Sequence, residues 1–322
     1  MGRYIDVHHH ILPPGYVEAV GAIKIGAQGS SGRLPHWTVE DALERMDAAD
    51  VACAITSISA PGLEVADDVA ARLARACNEV ALDMCANHPR RFGCFATVPL
   101  VSLDAALAEV AFAYEQGPAD GVCLLSNFRG KYLGDESLWP LYEELDRRSA
   151  VVFVHPTSPV APVAVAGLSL SSLDFTFDTA RAVASLIFSG VLQRFPGIRF
   201  IFSHMGGAMP YIADRIEVLA RNDERLQSYI PNGIRVELAK CYFDTALSAN
   251  EVTFSAMRAI SGIDNLLFGT DYPFGPRDQV ASAASALRDR CHDACRPLDA
   301  GEHRQIARGN AEQLFPRWRG MD

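Results

Sequence analysis

Hydrophobic residues along this chain fall into two alternating patterns. Short runs rich in β-branched and aromatic residues recur, each followed by a stretch whose apolar positions lie three or four residues apart. The runs are 3–8 (RYIDVH), 51–59 (VACAITSIS), 91–100, 121–126 (GVCLLS), 150–156, 199–205, 240–246 and 265–273. Several are apolar at consecutive positions, as parallel strands are when helices cover one side and a core fills the other. The amphipathic stretches are 38–50, 68–89, 102–117, 137–149, 178–196, 207–222, 249–261 and 301–316. Thr38, with Asp41 three residues on, marks the start of the first.

Strands alternating with helices in this way build either a doubly wound sheet or a (β/α)8 barrel. Chain length and the eightfold count favour the barrel, an α/β fold. No internal repeat, low-complexity tract or linker interrupts the pattern, so residues 1–322 read as a single domain. The longest irregular stretches, 11–37 and 156–177, follow strands 1 and 5. In a barrel they overhang the mouth, and they read as lid loops.

Composition narrows the function classes. Of 322 residues, 49% are hydrophobic and 21% charged; the formal net charge is −10, without long blocks of one sign. That argues against a general nucleic-acid binder and against a polybasic membrane patch. No apolar run is long enough to span a bilayer. The opening MGRYIDV runs into a strand instead of a signal peptide, and the myristoylation pattern fails at Asp6. The eight cysteines, at 53, 77, 85, 94, 123, 241, 291 and 295, include no C-x-x-C pair. They suggest a reduced, cytoplasmic protein. Cys291 and Cys295 flank His292 one helical turn apart and read as chance neighbours on a surface helix, not as a metal site.

Chemistry concentrates at strand ends. His8 and His10 end strand 1, His155 strand 5, His204 strand 6 and Asp271 strand 8. The C-terminal ends of barrel strands converge on one mouth. Side chains alternate along a strand, so His8 and His10 share a face and His9 points away, toward the helix layer or a backbone hydrogen bond. A lone strand-end histidine is ordinarily a satisfied core residue; candidates from four strand ends facing one mouth are not explained that way. Three imidazoles and a carboxylate suit Zn²⁺, with Mn²⁺ or Fe²⁺ as alternatives.

The segments DVHHHILPP, FVHPTSP, LIFSGVLQRFPGIRFIFSHMGGAMPY, LLFGTDYPF and RGNAEQLFP, spread over residues 6–316, resemble the amidohydrolase superfamily. Within it they look like the aminocarboxymuconate-semialdehyde decarboxylase-like branch, which includes γ-resorcylate and 6-methylsalicylate decarboxylases. The resemblance implies His8, His10, His155 and Asp271 as ligands of one divalent metal ion. It implies His204 as catalytic acid/base, with Asp271 beside it. Binuclear relatives carry a bridging Lys or Glu on strand 4; GVCLLS has neither, and Lys131 comes too late. Relatives with an arginine at the position of Arg215 reach across a dimer to hold the substrate carboxylate. Arg215 is therefore a candidate substrate-binding residue for the neighbouring chain, in a homodimer or a dimer of dimers.

Weaker candidates remain. Asp244 faces the mouth or caps the next helix. The MGGAMP glycines give backbone clearance near the metal; their spacing is not that of a phosphate loop. Arg129 and Lys131 lie in a solvated loop, and Asn310 is structural. The implied reaction is non-oxidative decarboxylation of a small aromatic acid of ortho-hydroxybenzoate type, or of a dienoic acid, without an organic cofactor. The same residues would serve a metal-dependent hydrolase of a lactone or amide, or a hydratase, with His204 as general base. A non-enzymatic metal-binding barrel would leave the fifth strand-end candidate without a use. The expected partner is a small carboxylate, with neither nucleic acid nor membrane.

Overall fold

A computed structural model describes residues 4–163, 165–276 and 278–320. Met1 to Arg3, where the acylation pattern and the first expected strand begin, lie outside the described residues. Eight strands form one sheet: β1 (Tyr4–His10), β2 (Val51–Ser57), β3 (Phe92–Thr97), β4 (Gly121–Leu125), β5 (Val151–His155), β6 (Arg199–Phe202), β7 (Tyr242–Asp244) and β8 (Leu266–Leu267). Each pairs in parallel with its sequence neighbours. The chain beyond β8 closes the circle. Val7 N donates to Phe268 O at 3.0 Å, Asp271 N to His8 O at 2.8 Å and His10 N to Tyr272 O at 2.7 Å. The expected (β/α)8 barrel is the fold observed.

A helix follows every strand: α1 (Val39–Ala48), α2 (Asp67–Asn87), α3 (Leu103–Glu115), α4 (Trp139–Arg147), α5 (Leu170–Phe188), α6 (Met209–Ala220), α7 (Glu251–Ser261) and α8 (Gln279–Asp289). Side-chain caps set several starts. Thr38 accepts from Asp41 N at 3.0 Å, Ser102 from Ala105 N at 3.2 Å, and Asn250 from Thr253 N at 3.1 Å. Each satisfies an amide that the helix leaves free.

Four points differ from these expectations. The strand read at 265–273 stops at Leu267 because the following residues turn to bond β1. The loop read at 156–177 ends at Ser169, where α5 begins. Its serine-rich first turns hide the periodicity, yet Phe175, Thr179, Val183 and Leu186 are buried along one face. Helix α8 was not read at all: its inward positions are Val280, Ala283, Ala284 and Leu287, and alanine is a faint apolar signal. The 11–37 segment likewise contains two short helices, Pro14–Val20 and Ala22–Gly26.

The barrel interior holds Ile5, Val7, Ile55, Phe95, Phe153, Ile201 and Leu267. Leu314, Phe315 and Trp318 of the C-terminal tail join this cluster at the strands' N-terminal end. Asp120 anchors that plug, accepting from Trp318 Nε1 at 2.9 Å and pairing with Arg317. With the bottom filled by large side chains, the open end is the one where the strands finish.

Candidate active site

His8, His10, His155, His204, Asp244 and Asp271 converge at that open end, all buried. His8 Nε2 lies 3.0 Å from His10 Nε2 and 3.2 Å from Asp271 Oδ1, and His10 Nε2 lies 3.1 Å from the same oxygen. With His155, each of these residues offers one ligand atom, all within 4.8 Å of one another.

Each of the three imidazoles in this group is steered from behind. His8 Nδ1 is 2.9 Å from Asp244 Oδ2, His10 Nδ1 is 3.2 Å from Ser57 Oγ, and His155 Nδ1 is 2.7 Å from Pro156 O. With Nδ1 occupied, each ring presents Nε2 to the centre; such outer partners fix tautomer and orientation.

Donors held about 2.0–2.2 Å from one small cation stand about 3–3.5 Å apart, which is the spacing of the three atoms measured above. The electrostatics agree. Burial opposes a charge on His8, but Asp244 and then Asp271 outweigh it and push the imidazole up to about 10. His155 is held well below its ordinary range by burial and then by the neighbouring imidazoles. Burial opposes the Asp271 charge too, yet His8, His10 and His204 bring its carboxyl well below the usual range. An environment that holds a proton between two buried carboxylates also favours a cation there. Donor types, spacing and burial indicate a divalent-metal site.

His204 sits beside this group. Its ring centroid is 5.0 Å from that of His8, and its Nε2 is 3.5 Å from Asp271 Oδ2 with no hydrogen-bond partner. Its backbone N–H donates to Asp244 Oδ1 at 3.1 Å, so one carboxylate positions both His8 and His204. His204 and Asp271 both adopt left-handed φ, +55° and +61°. Non-glycine residues take such values at a cost, and they recur where function demands a direction.

Other expectations resolve as follows. His9 does point away, but it bonds the Asp6 carboxylate at 3.0 Å and stacks on Tyr272 instead of bonding backbone. Asp6 also receives Thr270 Oγ1 at 2.6 Å, tying β1 to the segment that carries Asp271. The glycines after His204 serve packing and the turn, not clearance for a metal. Gly206 and Gly207 have φ of +74° and +60°, and a Cβ would lie 3.0 Å from the Phe243 ring and 2.1 Å from Thr176 O, respectively. Arg129 pairs with exposed Asp67, and Lys131 Nζ bonds Ser137. Asn310 bonds Ile263 O and Leu266 O, a structural role. Cys291 and Cys295 are free; Cys291 lies within a short helical turn, Arg290–His292, and Cys295 lies beyond it, exposed. Arg215 is exposed on α6, without a hydrogen bond or ion pair among the described residues, and does not line the cavity over the cluster. Asp244 and Ser57 were underrated by the sequence. The strand-end rule that picked out the histidines applies equally to Asp244, whereas a serine ending a strand carries no comparable signal.

The cavity over the cluster measures about 250 Å³. His155, His204 and Asp271 form its floor, Gln28 to Ser30 come from the loop after β1, and Phe175 comes from α5. No described helix is long and apolar enough to cross a membrane.

Comparison with known proteins places this geometry. The family model described as amidohydrolase matches residues 5–317. A 6-methylsalicylic acid decarboxylase of Penicillium expansum is 36% identical over 98% of this chain and 97% of its own. A crystal structure described as an amidohydrolase II superposes with a TM-score of 0.87 at 26% identity, covering 97% of this chain and 99% of that one. The 5-carboxyvanillate decarboxylase of Novosphingobium aromaticivorans, complexed with manganese and 4-hydroxy-3-methoxy-5-nitrobenzoic acid, superposes at 0.84 with 21% identity, covering 98% and 96%. The motifs read from strand ends and the full-length matches agree, and the chain belongs to the amidohydrolase family.

Proposed function

We propose that this chain is a metal-dependent, non-oxidative decarboxylase acting on a small ortho-hydroxybenzoate-type acid, or on a dienoic acid of similar size. The observation that carries the reading is His204, held with an unpartnered Nε2 beside the His8, His10, His155 and Asp271 group. The relative named for 6-methylsalicylic acid supports the substrate class.

In this reading His8, His10, His155 and Asp271 hold one divalent ion. Zn²⁺ suits the three-nitrogen, one-oxygen set; Mn²⁺ is the alternative, and manganese is present in the carboxyvanillate decarboxylase structure. Such an ion supplies Lewis acidity and orients the carboxylate and the adjacent phenolic oxygen.

Direct loss of CO2 from an aromatic ring would leave an aryl carbanion whose electron pair lies in the ring plane, outside the π system. Protonation first avoids it. His204, as imidazolium, gives its Nε2 proton to the ring carbon that bears the carboxylate. The C–C bond to the carboxylate then breaks, its electrons restore the aromatic ring, and CO2 leaves. Asp271 Oδ2 lies 3.5 Å from His204 Nε2, on the same side of the site. The ortho hydroxyl makes the accepting carbon more basic. A cavity of about 250 Å³ suits one ring with its polar groups, since roughly 150 Å³ holds a benzene.

The active unit in this reading is a homodimer or a dimer of dimers, with Arg215 gripping the carboxylate in the neighbouring site. Its exposure, and the exposed Tyr211 and Val218 on the same face of α6, support that arrangement. Free, mostly buried cysteines favour a reducing compartment such as the cytoplasm.

The test is turnover in D2O. With 6-methylsalicylate or 2,6-dihydroxybenzoate, the product is expected to carry deuterium where the carboxylate was. Hydrolysis of a lactone or amide by a protein inert toward these acids would replace this reading with the hydrolase one.

A further inference from the structure

The barrel mouth holds a second cavity that the proposed reaction does not use. It measures about 370 Å³ and lies over the ends of β2 to β5. Gln28 lines both cavities. Ile58, Val98, Leu100, Leu125 and Phe128 make the second cavity's walls mostly apolar, and Val160 from the loop after β5 borders it.

A single-ring acid fills only the first cavity. The second is larger than the roughly 150 Å³ that one benzene occupies, and apolar side chains make most of its walls, although Glu64 and Arg129 also line it. We infer that the substrate is an ortho-hydroxy aromatic acid with an apolar substituent of several carbons, an alkyl chain or a second ring, seated in this chamber. The inference rests on the decarboxylase reading for the acid's polar end. The chamber itself is independent of it.

Metal-loaded protein is titrated by calorimetry and assayed with salicylates bearing methyl, propyl or pentyl at ring positions 4, 5 and 6 in turn. In one of these series the wild-type affinity and kcat/KM are expected to rise about two- to fourfold per added methylene. Val160→Trp fills the chamber from an exposed loop residue and so leaves the core intact; Val98→Phe fills it from the β3 end. Both are expected to cost roughly tenfold toward the pentyl acid and little toward the methyl acid. Affinity falling with chain length in all three series, or variants weakening methyl and pentyl acids alike, would overturn the inference. If no acid is decarboxylated but the pentyl gain and its loss in the variants persist, the chamber stands and the decarboxylase reading falls. If none of the acids binds, both fall.

Discussion

Asp244 is the residue on which the site's geometry depends most. Its carboxylate bonds His8 Nδ1 with one oxygen, and the amides of His204 and Ala246 with the other. Asp244→Ala is expected to weaken metal affinity by about 10- to 100-fold, as loss of such partners does. Metal titration against a chelator measures this, and His9→Ala, on the opposite face, should leave the value near wild type. His204→Asn tests a different property. Asparagine tolerates the left-handed φ that His204 adopts, so the backbone is preserved. Metal content should stay whole while kcat falls about 10²- to 10⁴-fold; loss of metal in that variant would move His204 into the ligand set.

At the scale of elements, the turn from β6 to α6 links packing to chemistry. Thr176 O on α5 accepts from Ala208 N at 3.0 Å, and Gly207 passes beneath it with no room for a Cβ. Gly207→Ala combines strain at positive φ with a backbone clash, and about 1–3 kcal/mol of stability should be lost. Gly262→Ala, at φ +72° with nothing within 4 Å, is the control, carrying strain alone. Urea unfolding with unchanged slope m measures both, and Gly207→Ala should also reduce activity because His204 lies three residues away. Element positions were legible in the chain where apolar side chains were large. The early end of β8 and the early start of α5 were not, since one depends on the following residues bonding to β1 and the other on burial beneath a serine-rich surface.

At the scale of the whole molecule, the open question is how many chains make one site. Arg215 sits on an exposed face with Tyr211 and Val218, and a shared site makes a sharp demand. Homodimers of Arg215→Ala and of His204→Asn should each be nearly inactive. Subunit exchange then yields mixed dimers in which one site has both an intact His204 and a partner's intact Arg215. Recovered activity is the expected outcome, while verified mixed dimers without recovery would remove Arg215 from the reaction.

The amino-acid pattern alone gave the order of the strands and of all the barrel helices but α8, favoured the barrel over a doubly wound sheet, and put His8, His10, His155, His204 and Asp271 at one mouth. These depend on side-chain size, periodicity and the strand-end rule, all of which act within a short window of chain. Only the tertiary structure decided that Asp244 stands behind His8 across 236 positions, that Ser57 and the Pro156 carbonyl orient two other rings, and that Asp271 takes a left-handed turn. It alone opened an apolar chamber beside the cluster. Closure of the barrel brings these groups together, and such distant contacts depend on how every intervening strand twists and packs, which no local pattern encodes.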